Sequence, residues 1–410
     1  MRNINAYLKQ LNQDTFTSLR VRNYRLYYLG QIISTSGTFM QSVAQAWLVL
    51  NLTHSGTALG IAAALQYVPI LFFGPYGGVI ADRVSRRKIL FFTQSAAGIL
   101  ALTLGLLVLS NLVQVWMVYI LAFSLGVVNV FDNPTRQTFY MELVGPENIR
   151  NAVTLYSTLV NLARIIGPAI AAGVIAVLGL APCFIINGVS YIAVIIMLAM
   201  IRPGELILTP PALAAKGQLR EGFAYVFTSP VLAPVLLMMA IIGTLTFEFQ
   251  VSLPLIAQST FNGDAGSYAF LTASMGVGAA VGGLFFASRK GSALPKLVSA
   301  AFLFGAAVTA ASFMPSLLLT GLALVFVGIC SINFSSLGNS TLQLSSSPQM
   351  RGRVMSFWSV AFLGSTTIGG PLVGWFAGAA GARWGLALGG FAALLASAVG
   401  AYTLRRPRPR

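Results

Sequence analysis

Apolar runs long enough to cross a bilayer recur along this chain from one end to the other, and no other feature narrows its folding options as much. About 18 residues, rising 1.5 Å each in a helix, are needed to traverse some 30 Å of hydrocarbon. Such runs are predicted near residues 24–50, 58–81, 89–109, 114–139, 153–178 and 181–201, and again near 231–257, 267–287, 297–314, 316–340, 354–378 and 384–404. Only 8% of the 410 residues are charged, where a soluble globule carries about a quarter. In lipid an unpaired backbone amide has no water to turn to, so each run is read as a helix; the short alternation of a barrel strand is missing. The expectation is an all-α integral membrane protein with twelve spans in two sets of six.

Lys and Arg outnumber Asp and Glu by 25 to 9. The cations fall in alternate loops: Arg2, Lys9, Arg20, Arg22 and Arg25, the cluster at 83–88, Arg150, Arg202, Lys216, Arg220, Arg289, Lys290, Lys296, Arg351, Arg353 and the tail 405–410. Arg383 is the exception on the other side. By the positive-inside rule both termini are expected to be cytoplasmic. Cations scattered this way are an insertion signal facing anionic headgroups rather than a basic face for nucleic acid. Cys183 and Cys330 lie in or near apolar runs and suggest no disulfide framework. The lone His54 has no neighbours to complete a metal site, and no Gly-x-x-x-x-Gly-Lys-Ser/Thr loop or nucleophile–base pair stands out. No cofactor, metal or enzymatic chemistry is expected.

Residues 1–23, with Ile4, Leu8 and Leu11 at helical spacing, are read as an interfacial segment without the marks of a signal peptide. Residues 24–201 and 231–404 form the two expected six-helix bundles. Between them, 202–230 is a Pro- and Gly-bearing linker in which Leu219, Phe223, Tyr225, Val226 and Phe227 suggest a short amphipathic helix. Internal repetition supports the division. "PENIRNAV" followed by "IIGPAIAAG" corresponds to "SPQMRGRV" followed by "IGGPLVGW", about two hundred residues later. Repeated halves in a membrane chain point to a transporter that rocks about a central site.

The segment "GGVIADRVSRRK" resembles the loop signature of the major facilitator superfamily, with Gly78, Asp82, Arg83, Arg86 and Arg87 at its positions and Ser85 where the family usually has glycine. "LRVRNYRLYYLGQIIS", "FDNPTRQTFYMELV", "NLARIIGPAIAAG" and "QMRGRVMSFWS" are similar to the branch containing enterobactin exporters and macrolide efflux pumps. "IIGPAIAAG" also resembles the antiporter signature of span five, with alanines at some glycine positions. The resemblance implies a monomeric secondary transporter of the bacterial cytoplasmic membrane, exporting an amphipathic drug or siderophore against protons by alternating access. It also implies a latch at the loop signature in the outward-facing state. A lysophospholipid or other lipid transporter of the same fold is the alternative, and a non-transporting membrane sensor a more distant one.

Ionisable groups at lipid depth are costly and need a reason. Arg164, about twelve residues into span five, shares a face with Thr154, Ser157, Asn161 and Pro168. It is a candidate for an anionic substrate group or for a structural role at helix-end carbonyls. Ser34, Thr38, Gln41 and Gln45 make a similar stripe in span one, facing either the cavity or a neighbouring helix. Tyr67 and Gln66, with Ser331, Ser335 and Asn339, are further cavity candidates. Glu248 is the one acid inside a second-half span, with Thr244 on its face and Pro254 beyond. A carboxylate in a poorly hydrated site tends to keep its proton, so Glu248 and Asp132 are the proton-coupling candidates. Asp132 and Arg136, four residues apart, are also expected to join Asp82 and Arg83 in the latch.

Overall fold

The computed structural model describes residues 16–207, 218–286, 294–347 and 350–405, with the side chains of 75–83, 218–220, 222, 286 and 405 outside that description. The expectations on the N-terminal segment, on Lys216, Arg289 and Lys290, and on the end of the basic tail therefore lie outside the described residues. No strand occurs among those described.

Spans one to three are Arg22–Thr53, Gly56–Arg83 and Arg86–Leu109. Val115–Leu178 is helical throughout except at Gly145, whose φ of +72° breaks it into spans four (115–144) and five (146–178). The break has a local cause. Pro146 lacks an N–H and crowds the residue before it, and glycine alone takes a left-handed φ without strain. Span six is Ala181–Met200. Span seven comprises Leu232–Leu245, Phe249–Leu255 and a π turn, Ile256–Thr260. Spans eight to ten are Ala265–Phe286, Leu294–Ser312 and Leu317–Ser345. Span eleven joins Arg351–Ser359 to Thr366–Ala380 through a second π turn, and span twelve is Ala382–Arg405.

Ten helices among the described residues are long and apolar enough to cross a membrane. One of them is the double crossing broken at Gly145. Span one falls outside the ten because its stripe of Gln, Ser and Thr lowers its hydropathy, not because it is short: it runs for 32 residues. With it the crossings number twelve. In span seven the helix breaks at 246–248, upstream of Pro254, which sits inside Phe249–Leu255 and is followed by the π turn.

The two halves pack alike. Span three lies on span six as nine lies on twelve, and span two meets span four as eight meets ten. The linker helix Gln218–Thr228 buries Val226 and exposes Phe223 and Phe227, which stack on each other with centroids 6.2 Å apart. Phe223 also packs on Phe357, and Glu221 pairs with Arg353 at 2.6 Å, holding this helix to the second bundle.

The bundles touch along span two against eleven and span five against eight. At the face opposite the basic loops the first seam is backbone on backbone. A Cβ on Gly56 would lie 2.6 Å from the carbonyl oxygen of Gly374, and one on Gly370 would lie 2.8 Å from that of Gly60. Small residues let antiparallel helices approach this closely and share Cα–H···O contacts. Toward the basic face, among the described residues, Leu232–Leu245 and Arg351–Ser359 pack within their own bundle apart from weak contacts, and Phe72 and Phe73 of span two are exposed. Among the described residues, the bundles meet closely at the far face and less so toward the basic face.

Arg383, the cation on the far side, donates to the carbonyls of Ser312 and Met314 at the end of span nine and lies over the ring of Phe261. A cation at a helix C-terminus is favourable, so its position follows from capping. Asp264 caps span eight by accepting from the Ser267 N–H at 2.8 Å and from its hydroxyl, which hold its carboxyl below the usual range. A depressed folded pKa stabilises above the unfolded value and loses that stabilisation as pH falls through the folded one. Asp264→Ala is expected to lower stability by about 1 kcal/mol at pH 7 and by less in acid, read by thermal unfolding at two pH values.

The seam gives a second expectation. Gly370→Ala and Gly60→Ala add a methyl where the facing backbone already sits, costing about 1–3 kcal/mol for overpacking. A cysteine at Gln45 should then react faster with an impermeant thiol reagent added on the far side of sealed vesicles. Gly378→Ala, with nothing within 4 Å of its added Cβ, should leave that rate unchanged.

Candidate functional site

Of the arginine knot at 83–88, Arg86 and Arg87 are engaged within the first bundle. Arg86 is buried and forms an ion pair with Glu142 near the end of span four. Arg87 donates from Nε to the carbonyl of Leu198 at 2.9 Å and from Nη2 to that of Ala199 at 3.0 Å, capping span six. The knot thus ties spans three, four and six at the basic face. The side chains of Gly78, Asp82 and Arg83 lie outside the described residues, so the latch expected there remains a proposal. Glu142 went unrecognised in the sequence. It is an acid in a span, 4% exposed, but its partner is 56 residues away and no local spacing marks the pair.

Asp132 is 1% exposed. Its Oδ1 accepts from Thr93 Oγ1 and Gln94 Nε2 of span three, both at 2.7 Å. Its Oδ2 pairs with Arg136, which also donates to Gln31 of span one at 2.9 Å and to the Tyr156 hydroxyl of span five at 3.2 Å. One carboxylate and one guanidinium therefore join spans one, three, four and five. Each charge has an opposite charge and further hydrogen bonds, the condition for tolerating a buried pair. Tyr24, Tyr27 and Tyr140 pack around this network with centroids about 6 Å apart.

Nearer the middle of the bilayer, Arg164 has no ion partner or hydrogen bond among the described residues. Its guanidinium lies 5.8 Å from the Phe39 ring centroid, a cation–π contact, and no helix-end carbonyl receives it. Its backbone carbonyl lies against Gly276 of span eight, so it sits where the bundles meet. Glu248 occupies the break in span seven, 3% exposed, with Oε1 unpartnered. Gly369 of span eleven leaves the room for this carboxyl, which a Cβ there would approach to 2.9 Å, and Thr366 flanks it. Tyr67 of span two is within electrostatic reach of both Glu248 and Arg164. The arrangement brings together three of the expected residues, drawn from both bundles.

The stripe of span one divides. Ser34 is buried and its carbonyl accepts from the Thr38 hydroxyl. Thr38, Gln41 and Gln45 line a cavity together with Gln66, Asn187, Tyr191 and Gln250. Gln41 accepts from Asn187 of span six at 2.7 Å, so the stripe faces both a cavity and a neighbouring helix. Asn161 and Ser335 are half-buried, and their side chains form no hydrogen bond among the described residues. No cluster of His, Cys, Asp and Glu able to hold a metal occurs among the described residues.

Twelve crossings in two like halves, with ionisable groups where the halves meet that have no ion partner among the described residues, define a multi-pass membrane transporter of the major facilitator type. The chain belongs to the transmembrane secretion effector family of that superfamily, which it matches over residues 13–409. It is 26% identical over 361 residues to the enterobactin exporter EntS of Escherichia coli O1:K1 / APEC, covering 86% of this chain and 84% of that one. It is 29% identical over 166 residues to the staphyloferrin A transporter of Staphylococcus aureus (strain NCTC 8325 / PS 47), a match spanning 40% of this chain and 42% of that transporter. Among solved structures, it superposes on a bacterial homologue of the human lysosomal transporter Spinster, in an inward-facing and unoccupied conformation. The TM-score is 0.74 at 15% identity over 95% of this chain and 99% of that one. A bacterial homologue of the iron transporter ferroportin, in an inward-facing state, superposes with a TM-score of 0.70 at 15% identity, covering 94% and 99%. These likenesses establish the fold.

The Arg86–Glu142 pair sets a further expectation. Glu142→Ala removes a buried carboxylate that pairs with Arg86 and links span four to span three, and should lower the unfolding temperature in detergent. Glu147→Ala, at an exposed neighbouring position, should change it little.

Proposed function

We propose that this protein is a proton-coupled exporter of an amphipathic small molecule bearing an anionic group, a siderophore or drug, working by alternating access as a monomer in a bacterial cytoplasmic membrane with both termini inside. The observation that carries the reading is the pair Arg164 and Glu248. They come from opposite bundles at lipid depth, neither has an ion partner among the described residues, and Tyr67 lies within reach of both.

An arginine kept uncompensated at that depth is costly unless a ligand completes it. A substrate anion does so, with Phe39 holding the guanidinium in place meanwhile. Glu248 lies at a helix break and faces the span that moves against span two, so rocking the bundles changes the carboxyl's surroundings. A carboxyl that gains its proton on one side and loses it on the other couples the cycle to the gradient, and one charge moved through 100 mV is worth ~2.3 kcal/mol. The Asp82 cluster with Gly78, Arg83, Arg86 and Arg87 closes the basic face in the opposite state, and the ion-paired Asp132–Arg136 network gives the first bundle the rigidity to rock as one body. The exporter relative supports the direction of transport.

The test is flux in liposomes under an imposed pH gradient, with enterobactin, staphyloferrin A and ethidium as probes. Glu248→Gln should abolish gradient-driven uphill flux while leaving substrate exchange. Arg164→Ala should weaken anionic probes by roughly 10–100-fold, the equivalent of about 1.5–3 kcal/mol for a charge-assisted contact. Gradient-driven flux unchanged in both variants would refute the assignment of these two residues.

A further inference from the structure

The cavity on the far-face side of the Arg164–Glu248 pair has a chemistry that the charge pair does not explain. Its polar wall is led by four glutamines, Gln41, Gln45, Gln66 and Gln250, with Thr38, Ser42, Asn187 and Tyr191 beside them, and no Asp, Glu, Lys, Arg or His lines it. Three of the glutamines come from spans one and two and Gln250 comes from span seven, so the cavity straddles the bundles. Gln41 is 8% exposed and spends its carbonyl on Asn187, leaving its amide nitrogen without a partner. The side chains of Gln45, Gln66 and Gln250 form no hydrogen bond among the described residues.

We infer that this cavity is a binding subsite for an uncharged carboxamide- or hydroxyl-bearing group of the transported molecule. The inference rests on the transporter reading only for what fills the cavity in the cell. A carboxamide presents two N–H donors and a two-lone-pair acceptor, so converging glutamines satisfy a group that both gives and takes hydrogen bonds. An ionised group there would be desolvated without a counter-charge, a penalty that glutamines do not offset. The cavity therefore discriminates by charge: neutral polar parts lodge among the glutamines, and an anionic part lies toward Arg164. Because Gln250 is the second bundle's contribution to the polar wall, a group held by it and by Gln41 or Gln66 bridges the bundles. Such a ligand favours the far-face-closed arrangement in which all four glutamines meet.

Benzamide, benzoate and benzamidine put zero, negative and positive charge on one planar shape. The full-length protein in detergent carries Gln250→Cys, and labelling by N-ethylmaleimide is followed; Cys183 and Cys330 are buried and supply the slow baseline. Benzamide at twice its Kd should slow labelling about threefold, the factor 1 + [L]/Kd, and benzamide should raise the unfolding temperature of the protein with its native Gln250. Benzoate and benzamidine should do neither. Gln41→Leu and the half-buried Gln66→Leu should each remove the benzamide effect, whereas Gln343→Leu, exposed and near the basic-face end of span ten, should keep it. Equal protection by either charged probe, protection that survives both glutamine substitutions, or no protection by benzamide at millimolar concentration would overturn the inference. Binding is read here without a gradient or flux, so its failure is separable from failure of the Glu248 and Arg164 assignments.

Discussion

The buried ion pair of Asp132 and Arg136 is the contact on which the first bundle depends. In hydrocarbon, helices gain nothing from the hydrophobic effect by leaving lipid for each other, so close packing and interhelical polar contacts decide which helices stay together. Here one pair reaches spans one, three, four and five through Thr93, Gln94, Gln31 and Tyr156. The Arg86–Glu142 pair and the Arg87 cap add span six and a second link to span three. Every one of these contacts lies within one bundle. The bundle is held by ions internally, while its described meeting with the other half is glycine backbone and side chains without ion pairs.

That contrast accounts for which charges are free to act. Asp132 pairs with Arg136 and Arg86 with Glu142, so in this arrangement these four charges hold the first bundle together. Arg164 and Glu248 stand at the junction without ion partners among the described residues, and their cost is tolerated where substrate and proton pass in the proposed cycle. A charge's role is thus set by what surrounds it rather than by its depth alone.

Much of this was legible in the sequence. Hydrophobic length gave all twelve spans, because a run that must cross lipid has a nearly fixed extent, but the polar inner ends of spans four, five and ten run five to seven residues beyond the apolar stretch that marked them. The stripe of Thr38, Gln41 and Gln45 was readable because one helix face repeats every 3.6 residues. Arg164 and Glu248 stood out because ions are rare in such a chain. What the sequence withheld was pairing between distant segments. Glu142 looked like one more acid until span three was placed beside it, and Gln250 gave no sign of joining Gln41 and Gln66 across the bundles. The glycines of "IGGPLVGW" promised close packing, but their counterparts Gly56 and Gly60, in "SGTALG", became visible only when the helices met.

The glycine seam has one more consequence. Its contact surface is uncharged, so dissolved ions find little to screen there, whereas the loops of the opposite face are rich in arginine and lysine. Electrolyte and anionic headgroups therefore act unequally on the two ends of the molecule. In the proposed alternating-access cycle, the balance between the two states is tuned from the cationic end, and the glycine end responds chiefly to how tightly its methyl-free ridges fit.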